Sequence, residues 1–150
     1  MNLSLNKEKI DWHKILFLVL ILVFIGSVVF YDYSRLKKDF KSVRSLLSDV
    51  RFRAIKKNRD ITAQFIEKGL VIKDTKSAKV YSELKIPTLQ NVNYDTTLGK
   101  DMIVFTGRGT ARYNVRVHGG DLTLRSWFGF QKHIAVNCTG FVREGTYPAE

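Results

Sequence analysis

The first apolar block of the chain, Ile15 to Tyr31, holds no charged residue, whereas apolar and polar positions alternate in short steps everywhere after it. As an α-helix at about 1.5 Å per residue, that block spans about 26 Å, slightly less than the roughly 30 Å hydrocarbon core of a bilayer. The flanks extend it: Lys14 can reach toward headgroups, and Trp12, Tyr31 and Tyr33 stand where an aromatic belt lies. The pattern predicts a polar segment over residues 1–14 and one transmembrane helix over 15–33. A cleaved secretory signal has a shorter apolar core ended by small residues; here "FYDYSRL" comes next, which favours an uncleaved anchor.

No Pro, Gly or turn signal separates this block from the basic stretch after it. Leu36, Phe40, Val43, Leu47, Val50 and Ala54 recur in alternating steps of four and three, one stripe of a helix, with Lys37, Lys38, Lys41, Arg44, Arg51 and Arg53 largely off it. The two segments therefore read as one helix of about 45 residues, its amphipathic part covering 34–58. The stripe is a seam that something must cover, either a second helix or a sheet of the same chain.

Residues 59–150 favour the sheet. Ile61, Ala63 and Phe65 alternate, "EKG" reads as a turn, and Leu70 to Ile72 returns, which predicts a hairpin. Val80, Leu84 and Ile86 alternate up to Pro87, and "TLQNVNYDTTLGK" reads as loop. Met102 to Thr106 is a short apolar strand, "GRGTA" a turn, and Tyr113 to Val117 another strand. A two-residue turn at Gly119 and Gly120 would set Val117 opposite Leu122 and Val115 opposite Leu124. Finally "HIAVN" and "FVRE" close across "CTG", with Val136 opposite Val142 and Gly140 in the left-handed conformation. The expected fold is α+β: a long N-terminal helix, transmembrane then amphipathic, packed on an antiparallel β-rich domain.

Charge sharpens this picture. The net formal charge is +11, which points to acidic partners such as anionic lipid or nucleic acid. Much of it lies just after the apolar block, from Arg35 to Arg59, where basic residues are opposed by Asp39 and Asp49 alone. The single cysteine, Cys138, forms no internal disulfide, and with three scattered histidines it offers no zinc-like cluster; it reads as a small buried hydrophobe. "GRGTAR" lacks the third Gly of a dinucleotide loop and opens no helix, and His13, His118 and His133 have no nucleophile or carboxylate at motif spacing. The expectation is a non-enzymatic protein without a metal or other cofactor.

In detail, "LLSDVRFRAIKKNRDITAQF" resembles the helix end and first strand of the GspH/FimT family of pseudopilins, and "MIVFTGRGTA", "GGDLTLRS" and "KHIAVNCTGFVRE" resemble that family's last strands in order. The resemblance covers residues 36 to 144. It implies a pilin-like fold and the role of a minor structural or assembly subunit of a type II secretion pseudopilus or a type IV pilus. It further implies partnership with other pilin-like subunits through the N-terminal helix, alongside inner-membrane lipid. The family's helix generally begins with Gly and a Phe-Thr-Leu-x-Glu-like segment; the stretch here is "KIDWHKILFLVL", with no Gly before the run, no acid inside it and Asp11 outside it. Entry into a filament by prepilin cleavage is therefore not expected.

Orientation draws two opposed expectations. Lys7, Lys9 and Lys14 precede the run while Arg35, Lys37, Lys38, Lys41 and Arg44 come after it, so charge alone favours a cytoplasmic C-terminal domain. The resemblance implies a single-pass protein of the bacterial inner membrane with a periplasmic domain, and long translocated domains are weakly governed by charge. The helix seam, Leu36, Phe40, Val43, Leu47, Val50 and Ala54, is the first candidate site. A second reading is a DNA-binding minor pilin: some FimT-type members carry Gly-Arg-x-Arg near the C-terminus, and Gly140-Phe141-Val142-Arg143 keeps the Gly and second Arg. Arg143 would then be joined by Arg108, Arg112, Arg116 and Arg125 on polar strand faces. A third reading lays the basic segment on anionic lipid at the cytoplasmic side.

Overall fold

The computed structural model describes residues 12–93, 102–112 and 120–145, apart from the side chains of 90–93 and 112. A single helix, α1, runs through Trp12–Lys57, 46 residues. Among the described residues nine strands come after it: β1 (Ile61–Ile66), β2 (Gly69–Asp74), β3 (Val80–Lys85), β4 (Leu89–Asn93), β5 (Met102–Phe105), β6 (Ala111–Arg112), β7 (Gly120–Arg125), β8 (Gln131–Val136) and β9 (Val142–Glu144). The chain divides into two compact units between Tyr31 and Asp32. The described part of the first is helix alone; the second holds the rest of α1 and all the strands.

The end of α1 is set by local chemistry. Asn58 adopts a left-handed conformation at φ 45. Its N–H donates to the Ile55 carbonyl (3.0 Å) and the Arg59 N–H to the Ala54 carbonyl (3.1 Å). These are the two bonds of a Schellman cap, with Asn in the role that Gly commonly takes. Lys56 and Lys57 in the last turn suit the negative end of the helix dipole.

The buried residues of α1 are Leu36, Phe40, Val43, Leu47, Val50 and Ala54, the six of the stripe. They share one hydrophobic cluster with Ile61, Ala63, Ile72, Ile103 and Phe105 of one sheet and Leu122, Leu124, Ile134 and Val136 of the other. The seam is thus covered by the chain's own strands. The five-stranded sheet has the order β3-β2-β1-β5-β6 and the four-stranded sheet β4-β7-β8-β9, with all pairings antiparallel.

Two hairpins match the sequence pattern closely. β1 and β2 meet at Ile66 opposite Gly69, and Lys68 takes the positive φ of 53 in that turn. β8 and β9 set Val136 opposite Val142, and Gly140 sits at φ 77. Two expectations are corrected. Part of the stretch read as loop is strand β4, paired along β7 with Val92 opposite Leu122. Because β4 takes one edge of β7 and β8 the other, with Leu122 opposite Ile134, no edge is free to set Val117 opposite Leu122; residues 113–119 lie outside the described ones.

Polar side chains tie the corners. Thr88 donates from Oγ1 to the Asp39 carboxylate (2.7 Å), fastening the β3–β4 corner to α1. In the β2–β3 turn, the Asp74 carboxylate accepts the N–H groups of Ser77 (2.9 Å) and Lys76 (3.0 Å) and the Tyr81 hydroxyl (3.0 Å). The Ser77 N–H foremost, then Tyr81 and Lys76, outweigh burial and hold Asp74 at about 2, while the bond to Asp74 pushes the Tyr81 hydroxyl up. A carboxyl held below its ordinary value stabilises the fold above the unfolded pKa and loses that contribution as protons bind the folded form. We expect the wild-type unfolding midpoint to fall between about pH 4 and pH 2, and Asp74→Asn to flatten that fall. Denaturant titrations across this window read both, and equal slopes for the two proteins would refute the assignment.

Candidate functional site

Three surfaces carry features beyond the core. The first is the uncharged run. No residue from Trp12 to Ser27 is buried, and α1 has an apolar window long enough to cross a bilayer, none of it buried within the chain. Leu, Ile, Val and Phe left uncovered over this length hold a large apolar surface against water unless lipid or another chain covers it. Ser27 keeps its hydroxyl satisfied inside the helix by donating to the Val23 carbonyl (2.8 Å).

The second surface begins at the residue after the run. The Asp32 carboxylate accepts the backbone N–H of Trp127 (3.2 Å) and of Phe128 (3.0 Å), which binds the β7–β8 turn to α1. Tyr33 meets Phe130 edge to face, centroids 5.5 Å apart. Trp127 is 90% exposed at this turn and Phe128 50%. Asp32 does not stand out in the sequence because its partners lie 95 and 96 residues away. A local signal is nonetheless present: one acid directly after an uncharged run, and a "SWFGF" that fits no core strand.

The third surface is basic. Of the candidate arginines, Arg108, Arg125 and Arg143 are described with their side chains. Arg125 and Arg143 belong to β7 and β9, opposite Gln131 and Ala135 of β8 respectively, so their registers differ by about 13 Å at about 3.3 Å per residue. Arg108 lies exposed in the β5–β6 turn of the other sheet. Arg112 is placed by its backbone in β6, opposite Val104, and Arg116 lies outside the described residues. Separately, Lys37, Lys41, Arg44 and Lys132 line a groove of about 370 Å³ with Phe40 and Glu144. There Lys132 binds Glu144 at 2.8 Å and stands 4.6 Å from the Phe40 ring centroid. That hydrogen bond, reinforced by the charge of Lys132, lowers the Glu144 pKa.

The Gly140-Phe141 pair has a structural task. Arg51 donates from Nε to the Gly109 carbonyl (3.0 Å) and lays its guanidinium 4.1 Å over the Phe141 ring. The Ala111 N–H donates to the carbonyl of Cys138 (3.0 Å) in the same turn. Arg51 thus joins α1, the β5–β6 turn and the β8–β9 turn. Cys138 is half-buried in that turn rather than a core residue. A Cβ on Gly140 would lie 2.3 Å from the Gly109 carbonyl oxygen, at φ +77. Gly140→Ala should therefore lose about 2–4 kcal/mol, from left-handed strain and a backbone clash together. Gly145→Ala, at φ +115 with nothing within 4 Å, carries the strain without the clash. Urea midpoints of the two variants separate the terms; equal losses would sink the close-approach account.

This arrangement, a long helix whose C-terminal half lies in one core with two antiparallel sheets, is the type IV pilin fold. Solved structures similar to it include the type IV minor pilin FimU from Pseudomonas aeruginosa strain PAO1, in two crystal forms. One aligns with a TM-score of 0.58 at 18% identity over 73% of this chain and 91% of the FimU chain. The other gives 0.59 at 17% identity over 77% and 92%. No family model matches the chain, and no curated protein matches it.

Proposed function

We propose that this protein is a membrane-anchored, non-enzymatic minor subunit of a type IV pilus or type II secretion pseudopilus. Its uncharged run meets inner-membrane lipid and the corresponding helices of other pilin-like subunits, and its β-rich domain stands in the periplasm. The observation that carries this reading is the division of labour along α1. From Leu36 to Ala54 the helix spends its apolar stripe on its own sheets, whereas from Trp12 to Ile25 its large apolar side chains are exposed. The N-terminal half is the part of α1 whose large apolar side chains stand uncovered in one continuous run. The likeness to FimU, a minor pilin, supports the pilus-type role. With no Gly just before the run and no acid within it, the subunit joins its partners without prepilin cleavage.

The same geometry weakens the nucleic-acid reading. Phe141, which stands where the grip motif has its first Arg, stacks beneath Arg51, and Arg125 and Arg143 lie at different registers.

The test is intact mass after expression beside a prepilin peptidase, with protease added from the periplasmic side and cross-linking to co-expressed pilin-like subunits. An unprocessed chain whose domain is digested and whose helix cross-links to those subunits is the expected result. Cleavage beside the run would restore ordinary pseudopilin processing. A domain shielded from periplasmic protease would overturn the orientation and favour the basic segment lying on cytoplasmic lipid.

A further inference from the structure

We infer that the β7–β8 turn, through Trp127 and Phe128, is a second membrane contact that seats in the headgroup region of the bilayer, held there by Asp32, the residue that follows the transmembrane run in the chain. The inference rests on the anchoring proposed above and goes beyond it, since a single helix alone would leave the domain free to tilt and swing.

Four observations converge on lipid as the occupant. First, the turn is tethered to Asp32 by two hydrogen bonds, and Asp32 is joined by one peptide bond to Tyr31, where the uncharged run ends. Second, the exposed residues are of the type that belongs at that depth. Trp127 on the turn and Tyr33 on the helix are residue types of an aromatic belt, whose amphipathic rings favour the boundary between acyl chain and water, and Phe128 adds an apolar ring beside Trp127.

Third, the N–H groups of the turn are already satisfied within the chain. Each backbone N–H from Ser126 to Phe130 has an acceptor: Ser126 the Phe130 carbonyl, Gly129 the Ser126 carbonyl, Phe130 the Ser126 hydroxyl, and Trp127 and Phe128 the Asp32 carboxylate. An irregular loop can approach an apolar phase only on that condition, because an unsatisfied amide there would cost several kcal/mol. The same two bonds also spread the charge of Asp32 over amide donors. Fourth, the helix carries exposed Arg35, Lys37 and Lys38 within the next two turns, which complement anionic headgroups. A protein partner would call for an apolar pocket to receive Trp127; the bilayer interface requires no such complement.

The chain has two tryptophans, so Trp12→Phe leaves Trp127 as the only indole in the full-length protein. Reconstituted into vesicles of phosphatidylethanolamine and phosphatidylglycerol, this variant should float with the lipid. Its emission should be blue-shifted and quenched about twofold by lipid bearing a nitroxide near the headgroup, the depth of the aromatic belt. Asp32→Ala in the same background should release the turn and abolish most of that quenching while the protein still floats. A variant that does not float overturns the anchor, and the turn's contact with it. One that floats with an unquenched, water-like Trp127 overturns the turn's contact alone. Quenching that vanishes as protein is diluted in lipid would transfer the tip to a second copy of the chain, and would equally overturn the proposal. Circular dichroism of the wild type and iodide accessibility of its two indoles guard against a folding defect in the variants, since a protected Trp127 in unaltered protein is required as well.

Discussion

Leu47→Ala is expected to lower the stability of the folded domain by about 3 kcal/mol, and to lower its melting temperature by roughly 15 °C. Leu47 is fully buried in the middle of the helix stripe, in the cluster that joins α1 to both sheets. Truncation removes three side-chain carbons from that cluster and leaves a cavity, because neither sheet can close on a helix already held elsewhere. Asp39 fixes α1 to the β3–β4 corner and Arg51 fixes it to the β5–β6 turn, on either side of Leu47. Phe52→Ala, on the same helix but 63% exposed, should change stability by less than about 0.5 kcal/mol despite deleting a larger side chain. Urea unfolding of both variants in the full chain decides between core and surface roles. Comparable losses would mean that exposed aromatics of α1 carry stability through a contact the chain makes with another molecule; a negligible loss at Leu47 would mean the stripe is not the core.

The contrast between these two positions shows what the sequence can disclose. A helix repeats its face every three to four residues, so Leu36 through Ala54 declare their common face within a stretch of adjacent positions. The hairpins β1–β2 and β8–β9 are legible for a similar reason: two or a few residues link their strands, and alternation then fixes which side chains oppose each other. Strand β4 escapes because "LQNVN" carries Gln and Asn where a strand usually shows branched or aromatic residues; pairing with β7 overrides that preference. The Gly119-Gly120 signal misleads in a complementary way. Gly120 is the first residue of β7, opposite Val136, and both edges of β7 are taken by strands reached over longer loops. Local turn chemistry cannot report such competition.

The candidate sites divide along the same line. The seam residues read in the sequence as one face open to a helix or a sheet, and their neighbours in this fold are the chain's own strands. Phe141 reads as a missing arginine, but its ring lies under Arg51, a contact that depends on two turns meeting the same point of α1. Asp32 and the "SWFGF" turn form a pair that only the closed fold brings into reach. Sequence separation, rather than any subtlety of residue type, is what hides them.

The run itself yields the largest effect. Leu22→Arg places a guanidinium near the centre of Ile15 to Tyr31, where a charge costs about 3 kcal/mol on insertion scales. The run spans only about 26 Å, so it has little surplus apolar length with which to shift the charge toward an interface. Snorkelling from the midpoint would drag either the Trp12 end or the Tyr31 end out of its belt. The expected result is that most of the variant becomes extractable from membranes by alkaline carbonate, while the wild type and Leu22→Ala stay with the pellet. The β-rich domain, whose core holds none of these residues, should keep its fold, so the circular dichroism of its strands is unchanged in detergent. A Leu22→Arg chain that resists carbonate as well as the wild type would show that this segment does not hold the protein in the bilayer. The exposed apolar face of α1 would then need a protein cover along its whole length, and the filament partners would become the anchor rather than the guests of one.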